Sequence, residues 1–311
     1  MKHYLLILLL YFGFLNLAGL TYATSVTDDS GKQFEIKKPF ERIISLYPAH
    51  TENLSVMGLE KKIIGASKNE SPGMSRKPVF SYHDDPEKFM AARPDLVLIR
   101  PMIALRYGQF TEKLERAGIT VISLQPVNIE DMYDYWKTLG ILTGKQDSAE
   151  EMINRFKNTV RKINDFTQKI PKRKKVYFEA IHRRMKTFSP GSMAIFVLET
   201  AGGINVASDA VPVRSSNIAA YGKERILSRA NEIDVYLAQY GVMNYVTKEQ
   251  IKQESGFHVI KAIKNGEIYL IDETKVSRPT PKLLEGIAEI RKILYGVREV
   301  RSEKWEVRSG K

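Results

Sequence analysis

Short runs rich in β-branched residues alternate along the chain with segments whose apolar residues recur every three or four positions. Arg42–Leu46, Lys62–Gly65, Asp95–Ile99 and Ile119–Leu124 read as buried strands, each a short and nearly continuous apolar run. Tyr107–Ala117 and Ile129–Leu142 carry helical spacing between and after them. The same grammar resumes with Lys175–Ile181, Ile233–Leu237 and Glu267–Ile271. Such alternation predicts an α/β fold of two Rossmann-like lobes, each with a mostly parallel sheet covered on both faces.

Between the two runs of strands lies one long amphipathic stripe. Met152, Phe156, Val160, Ile163, Phe166 and Ile170 follow one another at spacings of three and four, preceded by the capping-box pattern Ser148-Ala149-Glu150-Glu151. A helix of about 23 residues and about 34 Å is expected here, stopped by Pro171, with Lys172–Lys175 at the negative end of its dipole. Phe156 and Phe166 are both expected in the core. The chain then divides into an N-terminal lobe over 24–145, a linker helix over 146–171, a C-terminal lobe over 172–296 and a charged tail over 297–311. A single helix joining two lobes predicts a comparatively rigid pair with a ligand cleft between them.

Composition adds export and charge. Lys2 and His3 precede an apolar run from Tyr4 to Leu15, and small and polar residues follow to Ala23. This is the pattern of a cleavable signal peptide over residues 1–23, the apolar run being shorter than a membrane span. The chain has no cysteine, which excludes disulfides, thiolate metal sites and a lipid-bearing cysteine. A periplasmic location without a lipid anchor is the expectation. The net charge is +12, which favours an anionic partner, and the export signal argues against nucleic acid.

Ligands approach open α/β sheets at the carboxyl ends of their strands. The residues just past the predicted N-lobe strands are Tyr47 and His50, Lys68 and Asn69, Tyr82 and His83, and Arg100. The C-lobe offers His182, Arg183 and Arg184, then Arg214, Gln239 and Tyr240, and finally Arg278. Basic and aromatic types recur at these exits, and they suit a large planar or chelated anion. Arg100, His182, Arg183 and Arg278 are expected to converge on it. Only five histidines are present, few for the direct capture of a bare metal.

Four motifs in register carry a resemblance. Val26–Lys32 followed by Pro39–Glu52 is similar to a "D-x-G" hairpin and a "P-x-R-I-V-S-L-x-P-x-x-T-E" opening. Asp85-Pro86-Glu87-Lys88-Phe89 leads to Ala92-Arg93-Pro94-Asp95, and Leu198–Asn205 and Lys223–Leu227 complete the set. Over residues 26–295 the chain resembles the helical-backbone (class III) periplasmic substrate-binding proteins of ABC importers for ferric siderophores, haem and cobalamin. The resemblance implies a protein that captures an iron chelate, a ferric siderophore foremost, and delivers it to an inner-membrane permease dimer with its ATPase subunits. It implies no catalysis and no intrinsic cofactor, and a monomer is expected. It also implies that Glu87 and Glu224, one per lobe, dock on permease arginines. Tyr82 and His83 lie near the position of an axial tyrosine in haem-binding relatives, at a shorter spacing. Trp136 lies in a helical pattern and Trp305 in the tail, so no tryptophan stands at a strand exit to wall a cobalamin.

Some motif residues have a purely structural reading. Thr51 and Glu52 fit a helix start as well as a ligand contact, and Gly202-Gly203 fits the end of an apolar helix. Against an enzyme on a similar scaffold, the chain has no G-x-S-x-G, G-x-G-x-x-G or G-x-x-x-x-G-K-[ST] motif. A ligand-sensing adaptor is the remaining alternative.

Overall fold

The computed structural model describes residues 24–68, 70, 76–213 and 216–296. The expected signal peptide over 1–23, Asn69, Arg214, Trp305 and the charged tail lie outside the described residues.

The N-lobe opens with a hairpin of β1 (Thr24–Thr27) and β2 (Gln33–Ile36). Asp28 organises its turn, taking hydrogen bonds from the Ser30 and Lys32 amides at 2.9 and 3.0 Å on one oxygen and from the Ser123 amide at 3.0 Å on the other. Then follow β3 (Ile43–Ser45), α1 (Pro48–Val56), β4 (Ile63–Ala66), α2 (Pro86–Ala92), β5 (Leu96–Ile99), α3 (Pro101–Arg106), α4 (Gly108–Arg116), β6 (Thr120–Ser123) and α5 (Ile129–Thr143). The four strands β4-β3-β5-β6 form an all-parallel sheet. Their inner residues are buried on both faces, which is why the sequence reads as continuous rather than alternating apolar runs.

A single helix, α6 (Gln146–Thr167), leads out of this lobe. The C-lobe holds β7 (Lys175–Ile181), β8 (Lys186–Phe188), α7 (Met193–Thr200), β9 (Ile204–Asn205), β10 (Val211–Pro212), β11 (Ile218–Ala220) and α8 (Lys223–Ser228). It closes with β12 (Val235–Tyr240), α9 (Lys248–Gln253), α10 (Lys261–Lys264), β13 (Ile268–Asp272), α11 (Glu273–Val276) and α12 (Leu283–Tyr295). The central strands β7, β12 and β13 are parallel, as expected. Beside them β8, β11 and β10 add an antiparallel wing. These strands have only two or three residues each, too short to leave a period in the sequence. Gly202-Gly203 does end α7: Gly202 has φ +101°, and the Gly203 amide reaches back to the Leu198 carbonyl at 3.0 Å.

Two expectations about the linker are corrected. The capping box at Ser148 does not form, because α5 ends on Gly144 in the left-handed region and α6 starts at once after Lys145, leaving Ser148 inside the helix. Phe166 is 53% exposed, whereas Phe156 is completely buried. The buried stripe runs Ala149, Met152, Ile153, Phe156, Val160, Ile163 and then Thr167. The last turn thus rotates a polar side chain inward: the Thr167 hydroxyl donates to the Thr200 carbonyl at 2.9 Å and accepts from Arg291 at 3.0 Å. Phe156 packs between Trp136 of α5, centroids 5.4 Å apart, and Phe196 of α7 at 6.3 Å, so one apolar core runs from the N-lobe through α6 into the C-lobe.

Phe156→Ala should therefore cost about 3–5 kcal/mol by leaving a cavity at this junction. Phe166→Ala should stay within about 0.5 kcal/mol of the parent. Urea unfolding of both variants checks the contrast, and equal losses would contradict it.

Candidate functional site

The carboxyl ends of the two sheets face each other, and one ion pair shows this directly. Glu52 on α1, just past β3, meets Arg278, just past α11, at 2.7 Å, and Lys282 approaches the same oxygen at 3.3 Å. Beside it the carbonyl of Pro279 accepts from Asn53 at 3.0 Å and from the Trp136 indole at 3.1 Å. The segment Ser277–Lys282 is thus a strap from the C-lobe seated on α1 and α5 of the N-lobe. Glu52 serves the lobe junction rather than a helix cap. Arg278 does the same, and this ion pair takes it away from the expected cluster of ligand-binding arginines.

Tyr47 stands at the N-cap position of α1 and Arg100 at that of α3, with neither side chain bonding the helix amides. The Arg100 guanidinium lies over the Tyr47 ring at 4.8 Å. Its Nε is buried and has no hydrogen-bond partner among the described residues. Burial raises the Tyr47 hydroxyl's pKa, opposed by Arg100 and then Arg278, while Glu52 and Glu273 reinforce the rise. Charges from both lobes therefore act on this one phenol.

Other residues are placed differently. His50 is wholly buried, one ring nitrogen 2.7 Å from the Tyr135 hydroxyl and the other 3.1 Å from the Ile99 carbonyl. A carbonyl can only accept, so Nε2 carries the proton and Nδ1 accepts from the tyrosine. Both nitrogens are used inside the fold, which removes His50 as a ligand contact. Gln239 is likewise interior, donating to the Ala180 carbonyl at 2.9 Å and accepting from Ser277 at 2.7 Å. His182 pairs with Glu179 at 2.8 Å. That carboxylate, fully buried on β7, also accepts from the Tyr236 hydroxyl and from Asn244. The hydrogen bond to Glu179 raises the His182 pKa, with Glu254 adding to it and Lys223 opposing. His182 is thus a part-buried partner of Glu179. Arg183 and Arg184 are exposed on the following 3-10 turn, and Lys68 is exposed beyond β4. Of the expected set of Arg100, His182, Arg183 and Arg278, His182 is engaged with Glu179 and Arg278 with Glu52, while Arg183 is exposed.

Tyr82, His83 and Tyr107 form a ring cluster at the N-lobe strand exits, with centroids 4.3–5.2 Å apart. Opposite in the chain, Tyr240 ends β12 and meets Tyr245 edge to face at 6.1 Å. The sequence reading included neither Tyr107 nor Tyr245. Tyr245 follows the end of β12 by five residues and so carried the strand-exit signal, whereas Tyr107 stands beyond α3, eight residues past β5. Glu87 and Glu224 are both exposed, in the first turns of α2 and α8, one on each lobe. Among the described residues no group of three or more His, Asp or Glu side chains is placed to hold a metal ion, and no helix is long and apolar enough to cross a membrane.

Residues 43–274, more than half of the chain, match the periplasmic binding protein family. The chain belongs to this family. Periplasmic binding proteins are non-enzymatic components of transport systems, and this chain is one of them. It is 24% identical over 282 residues to the ABC transporter substrate-binding lipoprotein YvrC of Bacillus subtilis, covering 88% of this chain and 86% of that one. It is 22% identical over 263 residues to the vitamin B12-binding protein of Vibrio cholerae, covering 82% and 90%. A possible iron-binding, periplasmic solute-binding protein of Staphylococcus epidermidis has a solved structure that superposes with a TM-score of 0.71 at 28% identity, covering 83% of this chain and all of that one. Two α/β lobes joined by one long helix are the architecture of this periplasmic binding protein.

The buried His50 makes stability depend on pH. Its pKa falls from 6.5 to about 3, chiefly because burial disfavours the charged ring. Between those values the unfolded chain binds a proton that the folded one does not, so stability is full above about pH 6.5 and is lost as the pH falls toward 3. The contribution of this one group between pH 7 and 4 is about 3 kcal/mol. His50→Gln should flatten the pH profile of urea unfolding by that amount, and an unchanged profile would contradict the assignment.

Proposed function

We propose that this protein captures an anionic iron chelate in the cleft between its lobes and hands it to an ABC permease dimer and its ATPase subunits. Arg100 carries this reading. It is a strand-exit cation stacked on Tyr47, with a buried Nε that lacks a partner among the described residues, and a bound oxyanion would supply what it lacks. The resemblance of the chain to a solute-binding protein described as a possible iron-binding one supports the choice of ligand. The ferric chelate is cargo, and no resident cofactor is invoked. Haem is a second reading, favoured by the rings of Tyr82, His83 and Tyr107, since a phenolate or imidazole there could ligate its iron. Cobalamin is a third, supported by the vitamin B12-binding relative. The visible absorption spectrum of protein isolated from its native source separates the three chromophores.

Arg100→Ala should weaken binding of a ferric chelate by about 1.5–3 kcal/mol with little change in unfolding midpoint. Tyrosine fluorescence quenching measures it, and unchanged affinity removes Arg100 from the site.

Glu87 and Glu224 are the proposed docking pair. Each also sits favourably at a helix N-terminus without any partner, but two exposed carboxylates, one per lobe, give a basic protein defined acidic anchor points. Such contacts set encounter rate and register. The double variant Glu87→Ala, Glu224→Ala should keep chelate binding and abolish uptake into proteoliposomes that contain the cognate permease. Full uptake would refute the docking role.

A further inference from the structure

The turn that follows β12 is unusual in what it exposes. Tyr240, Val242, Met243 and Tyr245 are 47, 52, 51 and 72% exposed, four large apolar side chains within six residues. A surface loop of this composition would ordinarily fold them inward. Here the polar members of the turn are turned inward instead. Asn244 is buried: it donates to the Gln239 carbonyl at 2.9 Å and to Glu179, and its side-chain oxygen accepts from the His182 amide at 2.9 Å. The Met243 amide donates to Glu273 at 3.2 Å. Gly241 lies so close over that same glutamate that a Cβ there would collide with it. The turn is therefore fixed from beneath by two carboxylates, and its apolar side chains are held outward by that anchoring.

Its position matters as much as its composition. The turn leaves the carboxyl end of β12, and Gln239 on that strand accepts from Ser277, the first residue of the strap whose Arg278 pairs with Glu52 of α1. The apolar turn and the Tyr47–Arg100 pair at the start of α1 therefore both lie at the strand exits that the strap joins. One ligand that reaches both must present an anionic group to Arg100 and an apolar, flat face to the turn.

We propose that the turn Gly241–Asn244, with Tyr240 and Tyr245 at its ends, is the specificity-determining wall of the C-lobe and selects anionic chelates that carry aryl faces over aliphatic anionic chelates. This rests on the iron-chelate reading above and deepens it. Tyrosine rings stack on aryl faces, and the Val242 and Met243 side chains cover the rest. An aliphatic polyanion gains only the charge interaction at Arg100.

Ferric tris(2,3-dihydroxybenzoate) and ferric citrate separate these terms, both being anionic and only the first having aryl faces. The parent should bind the aryl chelate at least tenfold more tightly than ferric citrate in fluorescence quenching titrations. Tyr240→Ser with Tyr245→Ser removes exposed side chains only, so the unfolding midpoint should hold, and the preference should fall to within about twofold by loss on the aryl chelate alone. Gly241→Ala, which displaces the turn from Glu273, should lower the same ratio with both tyrosines present. Equal affinity of the parent for the two chelates overturns the wall while leaving the iron-chelate reading in place. No binding of either chelate overturns both. Chelate affinities left intact in the double variant with uptake lost would make the turn a permease contact and overturn the proposal.

Discussion

Everything about this molecule depends on how two lobes that share only one helix are kept in register. The helix alone would allow twisting about its axis. The Pro279 carbonyl prevents this by taking hydrogen bonds from Asn53 and Trp136 at once, with the Glu52–Arg278 ion pair beside it. A carbonyl buried between two donors on different helices fixes position in two directions, because both bonds are short and directional. The apolar contact of Phe156 with Trp136 and Phe196 works on the other side of the same tryptophan. Trp136 is therefore shared: its ring packs on the linker and its N–H holds the strap.

That seam decides the character of the cleft. Tyr47 and Arg100 sit on the ends of elements of one lobe, and two residues whose charges act on Tyr47, Arg278 and Glu273, sit on the other. A cleft whose electrostatics are assembled from two bodies is precise only if the bodies do not drift. The buried polar groups support this division of labour. Glu179, His182 and Asn244 stiffen the C-lobe rim, while His50 and Tyr135 stiffen the N-lobe floor. Two of the histidines that looked like ligands in the sequence are thus structural, and the side chains proposed to face the ligand are largely tyrosines and one arginine.

The parallel strands and the helices flanking them were legible because their burial is two-sided and their periods are long enough to count. What was not legible followed from three physical causes. Strands of two or three residues, such as Val211–Pro212, leave no pattern. The phase of a long helix cannot be fixed at its last turn from spacing alone, so Phe166 and Thr167 exchanged places between expectation and structure. At the site, residue type pointed to the strand exits but not to which way each side chain turned. His50 and Arg278 have the chemistry of ligand contacts and spend it on partners distant in sequence, on Ile99, Tyr135 and Glu52. Such pairings are set by the tertiary fold and have no local signature.

The single crossing between lobes also bears on the order in which the molecule can be built. All four strands of the first sheet lie within residues 43–123, and those of the second within 175–272. Among the described residues no strand is exchanged, so the first sheet has every strand it needs before the second half of the chain is available. Folding can proceed vectorially, with short-range closures first. The strap at Ser277–Lys282 arrives last and seals two finished halves, which makes the final docking a latch rather than a nucleus.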